Sequence, residues 1–144
     1  AVLGICNGFQ ILIETGLLPG SLIRNKNLKF ICKDISLIIQ KSILNPFTSG
    51  LKSKSKILLP IAHNEGNYFA SKEVLKELEE NGQIAFKYVS SENPNGSKND
   101  IAGVLSPNGR ILGMMPHPER AVNHFHNSND GKLFFESLLT QLLG

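Results

Sequence analysis

Two stretches of this chain carry side chains whose types and spacing fit nucleophilic chemistry. The first is the opening run AVLGICNGFQ, in which apolar Ala1-Val2-Leu3 leads into Gly4-Ile5-Cys6-Asn7-Gly8 and then into a helix-compatible segment. That order predicts strand, tight turn and helix, with a thiol at the tip of the turn. It is the sulfur form of a nucleophile elbow. Gly4 and Gly8 let strand and helix approach closely. A sulfur held there faces a helix N-terminus, whose partial positive charge favours the reactive thiolate. A buried apolar cysteine between two glycines is the competing reading.

A nucleophilic cysteine needs a base for its proton, and the base needs a carboxylate to hold its ring. Met114-Met115-Pro116-His117-Pro118-Glu119-Arg120 offers both. In an extended segment, residues two apart face the same side, and Pro118 fixes the backbone between His117 and Glu119. A rival pair, His63 and Glu65, has the same spacing at another expected strand end. Spacing alone leaves the two pairs equal.

The elements that must position these groups follow from punctuation and periodicity. Residues 1–5 read as strand and 8–16 as helix, with Leu17–Gly20 as a turn. From Leu28 to Gln40 apolar residues alternate, which is the period of a strand or hairpin. That pattern puts Cys32 in the core. Residues 57–62 are a further strand. Ser71 caps a helix that runs to Asn81 and is closed by Gly82. Residues 84–89 form a strand, and 101–105 and 110–115 form a hairpin about Ser106-Pro107-Asn108-Gly109. Asp130 caps a final amphipathic helix. Alternating strands and helices make the class α/β.

The 144 residues suit one domain, and 41% hydrophobic with 19% charged is ordinary for a water-soluble protein. The net charge of +3 is mild and its lysines are scattered, which argues against nucleic acid. Lys52, Lys54 and Lys56 alternate with serines in an expected solvated loop. No apolar run approaches a membrane span, and no signal peptide opens these residues. Two distant cysteines, Cys6 and Cys32, cannot build a zinc site, so no metal is expected. Both read as reduced thiols of a cytoplasmic protein. An elbow strand belongs inside a parallel sheet with a neighbour on either side. Only five residues precede Cys6, so residues 1–144 are expected to form a single, truncated domain lacking its N-terminal strands. The apolar face so bared is expected to pair or aggregate.

Gly4-x-Cys6-x-Gly8-x-Gln10 followed far downstream by His117-Pro118-Glu119 resembles the triad-type (class I) glutamine amidotransferases. More narrowly, GICNGFQILIETGLLPG, PIAHNEGNYF, ENPNGS with IAGV, and GRILGMMPHPERAV resemble the glutaminase subunits of phosphoribosylformylglycinamidine synthases, in family order over nearly the whole chain. Asn64 departs from the glycine expected there. The resemblance implies a flavodoxin-like three-layer αβα sandwich with a mainly parallel sheet. It implies that Cys6 attacks the side-chain amide of glutamine, that His117 serves as base and acid, and that Glu119 orients His117. Gln10, Asn7, Gly8, Asn95 and Ser97 are the implied substrate-binding residues, with the Asn7 N–H an oxyanion donor and the 93–97 loop closing over the substrate. His63 and Glu65 become accessory residues at the site mouth. No cofactor is implied in this chain; ATP and magnesium would belong to an ATP-dependent synthetase partner that takes up the ammonia, with a small accessory subunit. Two alternatives remain: another cysteine hydrolase or glutaminase of the same fold, and an inactive or partner-dependent interaction module.

Overall fold

A computed structural model describes residues 1–144. The elements run β1 (Val2–Ile5), α1 (Asn7–Glu14), β2 (Ser21–Ile23), β3 (Ile31–Ile39), β4 (Lys56–His63), β5 (Asn67–Phe69), α2 (Lys72–Glu80), β6 (Ile84–Tyr88), β7 (Ile101–Leu105), β8 (Ile111–Met114) and α3 (Asp130–Leu143). Short 3₁₀ turns occupy Ser90–Glu92, Lys98–Asp100 and Pro118–Arg120.

The α/β class is as expected. Six strands form one sheet in the order β1-β8-β7-β6-β3-β4, and β2 pairs with β5 as a separate ribbon. The expected parallel character holds for one pair alone. β1 and β8 run parallel, while β8/β7, β7/β6, β6/β3 and β3/β4 are antiparallel. Three of the four antiparallel pairs join strands consecutive in the chain, whereas a parallel pair needs a long crossover. β1 and β8 have one, because most of the chain lies between them. β1 lies at one end of the sheet order and pairs with β8 alone, not with a neighbour on either side.

Two cores sandwich the sheet. α1, α2 and the β2/β5 ribbon cover one face, where Phe9, Leu12, Tyr68, Leu78 and Val104 pack together. α3 and the 43–51 segment cover the other, through Phe134, Phe47, Leu37, Leu59 and Leu112. Burying each such side chain stabilises by about 2 kcal/mol. α2 begins as the sequence predicts: the Ser71 hydroxyl accepts from the Val74 N–H at 3.3 Å, and Gly82 follows the helix at φ +63°.

Two local expectations are corrected. Cys32 is exposed, not core. The apolar alternation changes phase between Cys32 and Ile35, and the buried phase is that of Ile35, Leu37 and Ile39. Cys32 therefore points to the other face. Asp130 is the first residue of α3, with Asn129 at the cap position. Its carboxylate instead accepts from the Leu58 N–H at 2.7 Å, tying α3 to β4.

Candidate active site

Cys6 sits between β1 and α1 at φ +55°, ψ −105°. A non-glycine residue there stores about 1–3 kcal/mol of strain. The surrounding packing holds it. A Cβ on Gly4 would lie 2.7 Å from the Gly8 carbonyl oxygen, so glycine at position 4 lets β1 and α1 meet. Gly8 has open space where its own Cβ would stand, so its contribution to the close approach is its backbone, not its missing side chain.

The parallel register sets the rest of the geometry. Ile5 pairs with Met114, and the Cys6 N–H donates to the Met114 carbonyl at 2.8 Å. Both strands leave the sheet at the same end, so the segment after β8 carries His117 toward Cys6. The sheet also curls until its far edge arrives at the same place. The His117 N–H donates to the Pro60 carbonyl of β4 at 2.8 Å, and the Cys6 thiol donates to the Ala62 carbonyl at 3.7 Å.

His117 and Glu119 are paired, with the Nδ1–H of the ring donating to Glu119 Oε1. The backbone that pairs them is a tight 3₁₀ turn over Pro118–Arg120, not the extended segment expected. Pro118 at its first position forfeits no hydrogen bond. A carboxylate on Nδ1 leaves the lone pair on Nε2. That atom is buried and has no hydrogen-bond partner. Buried polar atoms are nearly always satisfied, and an orphan marks a strained or functional site.

Cys6, Asn7, Gln10, His63, Glu65 and His117 all line one cavity of about 510 Å³. Phe30, Asn64, Met115 and Arg120 line it as well; the last three lie inside stretches the sequence already marked, and nothing around Phe30 announced it. The Gln10 amide donates to Glu14 at 3.0 Å in this state. Burial works against the thiolate expected at the helix terminus. Burial pushes the Cys6 thiol above its ordinary value; the Asn7 N–H and the Arg120 charge pull it back, and Glu119 adds to the rise.

The two His-x-Glu pairs are distinguished by their partners. His63 is buried and bonds to Asn25 and Asn95, not to Glu65. Asn95 and Ser97 do not line this cavity. Both are buried behind the cavity, where Asn95 Nδ2 donates to the Gly66 carbonyl at 2.7 Å and Ser97 Oγ to the same oxygen at 3.2 Å. Gly66 is the glycine this loop requires, since a Cβ there would collide with the His63 ring.

Burial, with a smaller push from the His117 charge, drives the His63 pKa down to about 4 from its ordinary 6.5. The unfolded chain therefore takes up a proton near pH 6.5 that the folded chain refuses until about pH 4. Stability is full above that window and falls across it as pH drops, by about 3 kcal/mol for this group. Urea midpoints at pH 7 and pH 4.5 check it: the drop should be clearly smaller in His63→Asn, and an equal drop contradicts the assignment.

The CobB/CobQ-like glutamine amidotransferase domain model matches residues 1–136. The chain belongs to this glutamine amidotransferase family. Among solved structures it is similar to a chain of PurLQS from Thermotoga maritima, at 44% identity and a TM-score of 0.85 over 97% of this chain. The narrower likeness read from the sequence agrees with that match. A protein from Thermoplasma acidophilum described as part of a GMP synthase shares the fold, at 20% identity and a TM-score of 0.61 over 98% of this chain. The chain spans 61% and 56% of the lengths of these two proteins. No helix of this amidotransferase chain is long and apolar enough to cross a membrane.

Proposed function

We propose that this chain is the glutaminase subunit of a phosphoribosylformylglycinamidine synthase, working through Cys6, His117 and Glu119 as a catalytic triad. The observation that carries this reading is the His117 ring. Its Nδ1 is tied to a carboxylate and its Nε2 is buried and unpartnered, in the wall of the cavity that also holds Cys6 at a strained strand–helix turn. A base whose lone pair has no other use suits proton transfer from the thiol.

The chemistry follows in two halves. Cys6 Sγ attacks the side-chain amide carbon of glutamine as its proton passes to His117 Nε2. The Asn7 N–H takes the oxyanion, a contact typically worth ~3 kcal/mol in such sites. His117 then protonates the leaving nitrogen, and ammonia departs. Water, activated by the same imidazole, cleaves the thioester to glutamate. Glu119 holds the ring throughout. Gln10 and the Gly8 backbone hold the substrate, and Glu65 stands at the mouth. Ammonia passes to an ATP-dependent synthetase subunit that makes the amidine of formylglycinamide ribonucleotide, in purine synthesis in the cytoplasm. ATP and magnesium belong to that subunit. The PurLQS likeness supports a synthetase partner, and a small accessory subunit completes the assembly.

A partner-dependent form of this activity is favoured by one observation: the resting thiol donates to the Ala62 carbonyl and leaves His117 Nε2 unpartnered. The test is intact mass after treatment with 6-diazo-5-oxo-L-norleucine, a glutamine analogue that alkylates activated thiols. One adduct on the parent and none on Cys6→Ser is the expected result. No adduct on a cooperatively melting parent, with the synthetase present as well as absent, refutes the reading.

A further inference from the structure

The buried wall behind the cavity is joined by a network that no step above uses. Asn25 Nδ2 donates to the carbonyls of Lys29 and His63, each at 2.8 Å. Two carbonyls on one side fix that amide's orientation, so its Oδ1 is the acceptor facing the other way. The Gly66 N–H donates to it at 3.0 Å, and His63 Nδ1 lies 3.0 Å away. His63 must therefore carry its hydrogen on Nδ1. Its bare Nε2 accepts from Asn95 Nδ2 at 3.5 Å. Asn95 Nδ2 spends one hydrogen on the Gly66 carbonyl at 2.7 Å and shares the other between His63 Nε2 and the Tyr88 hydroxyl, 3.3 Å away. Three loops, around residues 25, 63–66 and 93–97, thus meet on one imidazole with both nitrogens engaged. Asn25 and Asn95 have no exposed surface, and His63 is 4% exposed.

What this network holds is the Ala62–Glu65 wall of the cavity. His63 follows Ala62, whose carbonyl receives the Cys6 thiol, and precedes Asn64 and Glu65, which line the cavity. The Asn25 N–H also donates to the Asn64 carbonyl at 2.8 Å. We propose that His63, clamped between Asn25 and Asn95, is a positioning residue that fixes the Ala62–Glu65 wall for glutamine binding, while proton transfer remains with His117. Asn95 then acts on the substrate through His63, one layer behind it. This rests on the glutaminase reading.

The test separates binding from chemistry in the 144-residue chain, by the concentration dependence of Cys6 alkylation by 6-diazo-5-oxo-L-norleucine. If the chain alone is unreactive, the synthetase-bound form is used. In His63→Ala the half-saturating concentration rises about tenfold or more and the maximal rate stays within about threefold. Asn95→Ala moves the same way. His63→Asn, which keeps a donor toward Asn25, recovers part of the loss. A folded His63→Ala with unchanged half-saturation, or with a collapsed maximal rate, overturns the proposal. A second measurement does not depend on the reaction: hydrogen exchange at the Gly66 and Asn25 amides accelerates in His63→Ala. Unchanged exchange overturns the positioning role, whereas an unreactive parent with accelerated exchange overturns the glutaminase reading and leaves the clamp standing.

Discussion

Replacing His117 with alanine is expected to lower glutamine turnover by about 1,000- to 10,000-fold without unfolding the chain. The expectation rests on where the ring's bonds go. Its one side-chain hydrogen bond is to Glu119, at the start of a surface turn, and its Nε2 bonds to nothing. Little folding energy is lost with it, while the thiol loses its proton acceptor. Burial also pushes the Cys6 thiol above its ordinary value, which works against a thiolate forming without His117. Glu119→Gln retains a hydrogen-bond acceptor but no charge, and a smaller loss of about 100-fold is expected. Steady-state glutamine hydrolysis with the synthetase present measures both, and amidine formation from ammonium salt should be unaffected. If His63→Ala abolished the maximal rate while His117→Ala kept most of it, the two histidines would exchange roles.

Gly131→Ala is expected to be the most damaging small substitution away from the cavity. Gly131 lies in the first turn of α3 and is buried. A Cβ there would overlap the Pro118 carbonyl oxygen and lie 2.9 Å from the Ala121 carbonyl oxygen. Both obstacles are backbone, so no rotamer change relieves them. Either α3 shifts, losing the Phe134 packing, or the turn that carries Glu119 moves. Overpacking against backbone of this kind costs about 3 kcal/mol, which corresponds to a Tm lowered by roughly 10 °C for a chain of this size. Alkylation of Cys6 should slow as well, because the turn holding the His117 partner is displaced. A variant that melts within about 2 °C of the parent would show that α3 and this turn are loosely coupled.

Local features of the site were legible because local forces create them. The strand–turn–helix at Cys6 follows from Gly4 and the apolar runs around it, and α2 follows from Ser71 and Gly82. His117 and Glu119 were paired by spacing alone, although the pairing works through a 3₁₀ turn that spacing could not show. The equal claim of His63 and Glu65 could not be settled that way. What separates the pairs is Asn25, 38 positions from His63, in a segment with no distinguishing pattern.

Residue types and their short-range order thus determined the α/β class, most elements and the family, and marked Cys6 and the two His-x-Glu pairs as candidates. These depend on turns, caps and periodicities acting over a few residues. Tertiary structure alone decided which phase of β3 is buried, and so exposed Cys32. It also made four of the five strand pairings in the main sheet antiparallel. It placed Asn95 and Ser97 behind the cavity. It curled the sheet so that Ala62, from the edge strand farthest from β1 in strand order, meets the Cys6 thiol. Each of these is settled by packing between segments dozens of residues apart, where burial and backbone hydrogen bonding act on the whole chain at once.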